Sequence, residues 1–259
     1  MTARQSAQSA RGSGERSIAL LKLIAELGDF SLTEIAERAD LPVSSVHRLM
    51  QPLISAGLVE RAGRQRYRPG GEFLRLARIL LRNMDVGRLS RPFLRELWDE
   101  WQETTVLCLY RAQAHKGLIV ETMPAPHPLR IVLEPMSEIP LPWGSLGRAI
   151  LAHLSAQEQK HALRASPVVG PFSGARLPSK RELERDLAQV RAQGAAVHRN
   201  DRVDLAGVAA PVLRADGTVV GSVGIILPAR RFQLRKATAM MKAVREAATQ
   251  IGKLATGAG

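Results

Sequence analysis

Along Ser31–Arg68 the apolar positions fall at helical spacing twice and then alternate, with polar residues marking where each run starts and stops. Ser31 and Glu34, three residues apart, spell a capping box, and Phe30 and Ile35 occupy the two positions of a hydrophobic staple. Ile35, Ala36 and Ala39 then share one face of the helix so begun. Asp40-Leu41-Pro42 ends it, because proline disfavours helix at the preceding residue and fits the first turn of a new one. A second helix is expected to begin at about Pro42 to Ser44, with Val46, Leu49, Met50 and Leu53 as its apolar stripe. It stops near Ala56-Gly57, after which Leu58-Val59-Glu60-Arg61 is expected to pair with Gln65-Arg66-Tyr67-Arg68 across Ala62-Gly63-Arg64.

Helices joined by a sharp turn and followed by a basic hairpin make a winged helix-turn-helix, and such a unit is expected to bind DNA. The stripe of the second helix leaves Ser44, Ser45, His47, Arg48 and Gln51 facing outward. An arginine can donate two bonds to guanine, a glutamine can pair with adenine, and serine hydroxyls reach phosphate. Arg48 is the expected base reader. Four arginines lie on the hairpin; Arg64 at its tip and Arg66 on its second strand are the expected backbone or minor-groove contacts.

Beyond the hairpin, Phe73, Leu74, Leu76, Ala77, Leu80 and Leu81 recur at helical spacing between arginines, which predicts an amphipathic helix from about Gly71 to Met84. A further helix, about Val86 to Gln102, carries Leu89, Phe93, Leu97 and Trp101; Trp98 and Trp101 are expected to pack rather than to meet a ligand. From Thr104 the period changes to that of strands, in TVLCLYRA, GLIVETM and LRIVLE. Ser179 and Glu182 form another capping box opening a helix that ends at Gln193-Gly194. Strands are expected again at about 195–199, 205–213 and 219–227, the last two joined by a turn at Asp216-Gly217, before a final helix from about Leu234 to Leu254. The second part of the chain therefore reads as an α+β domain whose sheet is half covered and half open, like a cup.

Charge adds weight to the DNA expectation. The 259 residues carry a net +13, and residues 1–95 hold sixteen Lys and Arg against nine Asp and Glu, a net +7. Such a chain favours polyanions with salt-dependent affinity. Cys108, the single cysteine, has no internal disulfide partner, and no apolar run has the length of a membrane helix, so a cytoplasmic protein is expected. The six histidines lack zinc-site spacing, so neither a metal nor a cofactor is expected. Trp143-Gly144-Ser145-Leu146-Gly147 invites comparison with a nucleophile elbow, but the bulky Trp143 stands where a small residue is needed, and no enzyme is expected.

Read together, SIALLKLIAELG, LTEIAERADLPVSSVHRLMQPLISAGLVER, PLPWGSLGRAILAHLS and VAAPVLRADGTVVGSVGI resemble, in content and order, the IclR family of transcriptional regulators. The resemblance covers roughly Ser17 to Leu254. It implies a winged helix-turn-helix over 15–70, a linker helix over 71–85 and a GAF-like effector-binding domain over 86–259, while residues 1–14, with little apolar content, are expected to be a mobile arm. The resemblance also implies a homodimer or homotetramer, a repressor or activator whose palindromic operator affinity responds to a small molecule. Carried residue by residue, it assigns the effector pocket to Ile131, Leu133, Ile139, Trp143, Ser145, Leu146, Val197, Leu205 and Gly207. Two departures stand out. Gly207 replaces a frequent cysteine, and the acidic residues expected around Val197 to Asn200 are mostly absent. The effector implied is an organic acid or a larger, aromatic compound, with Arg130 as a further carboxylate candidate. The alternative is a DNA-binding protein whose second domain serves only to oligomerise.

Overall fold

The computed structural model describes residues 13–83, 85–171, 174 and 176–256. Of the expected N-terminal arm, only Ser13 and Gly14 fall among them, and both are helical. The chain divides into two units, residues 1–84 and 85–259.

In the first unit α1 (Ser13–Leu27) leads into β1 (Phe30–Ser31), α2 (Leu32–Ala39), α3 (Val43–Ser55), β2 (Val59–Arg61), β3 (Arg66–Pro69) and α4 (Gly71–Asn83). The capping box forms as expected. Ser31 Oγ accepts from the Glu34 amide at 3.2 Å, and the Ser31 amide donates to the Glu34 carboxylate at 2.6 Å. That second bond, more than any other influence, holds the Glu34 carboxyl below its ordinary pKa. Phe30 and Ile35 are both fully buried in the core that Leu20, Ile24, Val46 and Met50 complete. Asp40, left-handed at φ 52°, stops α2. β3 lies between β1 and β2, and Tyr67 on β3 stacks on Phe30 at 6.2 Å. Val59 pairs with Pro69 and Arg61 with Tyr67, so the hairpin loop is Ala62–Gln65, one residue longer than expected.

The second unit runs through α5 (Asp85–Trp101), β4 (Thr104–Arg111), β5 (Lys116–Met123), β6 (Glu138–Pro140), α6 (Gly144–Leu151), α7 (Ala156–Arg164) and α8 (Lys180–Gln193). It continues with β7 (Ala196–Asn200), β8 (Leu205–Leu213), β9 (Val219–Leu227), a short 3₁₀ turn (Leu234–Lys236) and α9 (Ala237–Thr256). The six strands form one sheet, ordered β6-β5-β4-β9-β8-β7, with every neighbouring pair antiparallel. Each face of the sheet buries its own core. Val208, Ala210, Val223 and Ile225 pack with Leu94 and Leu97 of α5 and Val244 and Ile251 of α9. Val106, Cys108, Ala209 and Ile226 pack with Ala149 and Ile150 of α6 and Leu187 of α8. The alternation of these sets along β8 follows from the period of two in a strand.

LRIVLE is not a strand. Two of its carbonyls are held by side chains instead: Arg231 Nη1 donates to the Leu129 carbonyl at 2.8 Å and Thr104 Oγ1 to the Ile131 carbonyl at 2.8 Å. The edge beside β5 is taken by β6, whose Ile139 pairs with Gly117 of β5. α7 was not anticipated, although Ser155 and Glu158 cap it with the same box that opens α2 and α8. Arg231 itself is fixed by a two-pronged pair with the buried Glu103 carboxylate, at 2.7 and 2.6 Å.

Candidate ligand cavity and nucleic-acid interface

On the α3 surface Ser44, His47, Arg48 and Gln51 are exposed and Ser45 is half-buried, while Val46, Leu49, Met50 and Leu53 face the core. His47 Nε2 and Gln51 Nε2 lie 3.2 Å apart, one turn along the helix. Among the described residues the Arg48 guanidinium has no hydrogen bond or ion pair. No side chain caps the start of α3, so its first amides remain available to an acceptor.

The hairpin arginines separate into two pairs. Arg66 Nε donates to Asp29 Oδ1 and its Nη2 to the Asp29 carbonyl, both at 3.0 Å, with Glu34 Oε2 3.7 Å away. Arg66 thus ties the hairpin to the turn between α1 and α2. Arg68 pairs across the hairpin with Glu60 at 2.6 Å. Arg61 and Arg64 are exposed and carry no such partner among the described residues. Sequence spacing singled out Arg66 and passed over Arg61, because the ion pair to Asp29 joins residues 37 apart.

In the second unit a cavity of about 90 Å³ opens between α6 and the sheet. Leu133, Ile139, Leu146, Leu205 and Ile226 make its apolar walls; Trp143, Ser145 and His198 bring the polar atoms, with Gly207 beneath. α6 can lie close to the preceding loop because Gly147 has no side chain: a Cβ there would stand 2.6 Å from the Leu141 carbonyl oxygen. Trp143 is the N-cap of α6 and makes no capping hydrogen bond through its side chain, so no side chain caps the first-turn amides.

Two polar atoms at this cavity are buried and unpartnered, the Trp143 indole Nε1 and the Ser145 hydroxyl. Leaving such a group without a partner costs on the order of 1–3 kcal/mol each. Ser145 is 2% exposed. His198 is held below the ordinary imidazole pKa, first by burial and then by the nearby Arg148 guanidinium. Among the described residues, no Asp or Glu lines the cavity. Among the described side chains that line it, only a neutral imidazole nitrogen and the Ser145 hydroxyl lone pairs can accept, and the rest of the polar atoms donate, which suits an acceptor-rich, anionic guest with an apolar body.

Seven of the nine residues assigned to the pocket line this cavity: Leu133, Ile139, Trp143, Ser145, Leu146, Leu205 and Gly207. Ile131 does not, because Thr104 holds its carbonyl and turns that part of the loop onto the sheet end. Val197 packs against the opposite core, on the α9 face of the sheet. A one-residue offset along a strand reverses the face, and it is the neighbour His198, paired with Gly207, that reaches the cavity. Arg130 is exposed and donates to the His127 carbonyl instead. Cys108 is a buried core residue whose thiol pKa burial drives upward.

Comparison with known proteins agrees with both units. Residues 13–63 match the model of the IclR helix-turn-helix domain, and residues 79–253 that of the bacterial transcriptional regulator IclR C-terminal domain. The HTH-type transcriptional regulator BhcR of Paracoccus denitrificans is 28% identical over 92% of this chain and 85% of its own. The HTH-type transcriptional regulator Rv1719 of Mycobacterium tuberculosis is 30% identical over 86% of this chain and 84% of its own. An IclR homolog of Microbacterium hydrocarbonoxydans, solved in complex with 4-hydroxybenzoate, superposes with a TM-score of 0.75 at 22% identity, over 93% of this chain and 97% of that one. With a helix-turn-helix unit and an effector domain in that order, each matched by its own model, the chain belongs to the IclR family of transcriptional regulators.

Proposed function

We propose that this regulator senses a small carboxylate with an apolar or aromatic body, and that the cavity over Gly207 is where the carboxylate binds. The observation that carries the reading is the pair of buried, unpartnered donors, Trp143 Nε1 and Ser145 Oγ, facing an apolar cavity without an acidic residue. A ligand oxygen would satisfy both and would meet the uncapped amides of α6. The complex of a fold relative with 4-hydroxybenzoate is consistent with this class of guest.

On this reading α3 enters the major groove with Arg48, Gln51, His47 and Ser44 at the bases. Arg61 and Arg64 reach the phosphate backbone, and Arg66 shapes the hairpin. A second copy is needed to read a palindrome, and α4 supports one: Leu74, Leu76 and Ile79 are 63, 40 and 39% exposed. Ligand binding then alters the spacing of the two readers and with it the operator affinity.

Trp143 fluorescence tests the pocket. Addition of a bound carboxylate should change the indole emission of the wild type and leave Trp143→Phe without that change, since Trp98 and Trp101 lie outside the cavity. An unchanged difference spectrum between the two would remove Trp143 from the site.

A further inference from the structure

A single row of residues crosses the sheet beneath the cavity: His198 pairs with Gly207, and Gly207 with Ile226. Directly opposed residues of antiparallel strands project to the same face. The His198 imidazole therefore stands beside the gap that Gly207 leaves, with Ser145 above it. Trp143 Nε1 can only donate, and the α6 amides can only donate. Among the described residues lining the cavity, the imidazole alone belongs to a group whose ordinary pKa lies near neutrality.

The charged groups around His198 are few. From α6 comes Arg148, whose Nε donates to the Pro142 carbonyl at 3.1 Å. From α8 comes Asp186, which pairs with Arg148 at 3.3 Å. β8 presents Gly207, and α9 packs against the far face of the sheet with Val197. On β7 itself Arg199 pairs with Asp201 at 2.8 Å and is exposed. In the empty cavity burial and Arg148 both disfavour the charged imidazole. A carboxylate lying beside the ring would reverse that balance, because an opposite charge at close range favours the charged form.

We propose that His198 is the charge-selecting residue of the cavity: as a carboxylate settles over Gly207, His198 takes up one proton from solvent and holds the ligand as an imidazolium. The inference rests on the carboxylate reading above. Apart from the N–H bond formed with the proton that solvent supplies, no covalent bond changes. Affinity for carboxylates then rises as pH falls from above neutrality, until the ligand's own protonation reverses the trend at a more acid pH. An uncharged amide of the same shape shows no such slope.

Isothermal titration of the full-length protein tests this, with acetate, pyruvate, benzoate and 4-hydroxybenzoate as probes and benzamide as the neutral control. Each is run at neutral pH in two buffers of different ionisation enthalpy. The wild type should take up close to one proton per bound carboxylate and none with benzamide. His198→Gln should bind the carboxylates about tenfold more weakly, the equivalent of one pKa unit, and without proton uptake. His198→Asn, checked for an unchanged melting profile, guards against a folding defect in the first variant. Carboxylate binding with buffer-independent heat in the wild type overturns the protonation of His198 alone. Uptake that persists in both variants assigns the proton elsewhere and overturns it equally. If none of the four acids binds the wild type, the carboxylate reading falls, and this inference with it.

Discussion

Gly207 gives the Ser145 hydroxyl its place: a Cβ at position 207 would stand 2.6 Å from Ser145 Oγ and 2.7 Å from Ile226 Cδ1. The missing side chain at position 207 is thus what lets a buried serine aim into the cavity. Gly207→Ala should force Ser145 off its rotamer and fill the floor, destabilising the second unit by about 1–3 kcal/mol as overpacking does. Ligand affinity should drop while DNA binding by the first unit persists. Thermal melting and a ligand titration on the same sample measure both effects.

Ser145→Ala should separate stability from function. Removing a buried hydroxyl that has no partner relieves its desolvation penalty, so the empty protein should become more stable by about 1 kcal/mol. The same variant should bind ligand more weakly. A loss of stability in urea unfolding would mean that the hydroxyl is already satisfied in the empty protein.

The first unit offers a contrast among arginines. Arg48→Ala should cost about 1–3 kcal/mol on the operator and relax one base position. Arg64→Ala should weaken binding to all sequences alike and lower the salt dependence by roughly one counterion. Arg66→Ala should instead loosen the hairpin, with a stability change of about 0–1 kcal/mol because the pair with Asp29 is exposed. Anisotropy titrations over a range of salt distinguish the three.

Burial lowers the pKa of His153, whose Nδ1 lies 3.1 Å from the Ala149 carbonyl. Below the ordinary value of 6.5 the unfolded imidazole binds a proton that the folded one refuses. Stability associated with this group is therefore complete above that pH and is lost as pH falls toward the folded value. His153→Gln should flatten the fall in melting temperature between pH 6.5 and the carboxylate range. An identical pH profile for variant and wild type would show that His153 titrates alike in both states.

Local signals made much of this molecule legible. Capping boxes at Ser31 and Ser179, the left-handed Gly194 that ends α8, and the hydrophobic periods of α2, α3 and β7–β9 are each decided by a few neighbouring residues. LRIVLE misled because its composition suits a strand while its carbonyls are claimed by Thr104 and Arg231, residues distant in the chain. At the candidate site the same division holds. Trp143, Ser145 and Gly207 stood out as unusual residues in their segments, whereas His198 did not, since nothing local marks which face of β7 meets the cavity. Arg66 shows the limit from the other side: its side chain looks free in sequence and is engaged by Asp29 in the fold.

The central claim is that ligand in the Gly207 cavity alters DNA binding. Its most direct test is the protein's affinity for an operator fragment, selected by the protein itself from random DNA, with and without a saturating carboxylate that binds the wild type. A severalfold or larger shift in wild-type affinity, absent in Gly207→Ala and reduced in Ser145→Ala, is the predicted result. Identical affinity with and without bound ligand would contradict the claim and leave the second unit as an oligomerisation domain.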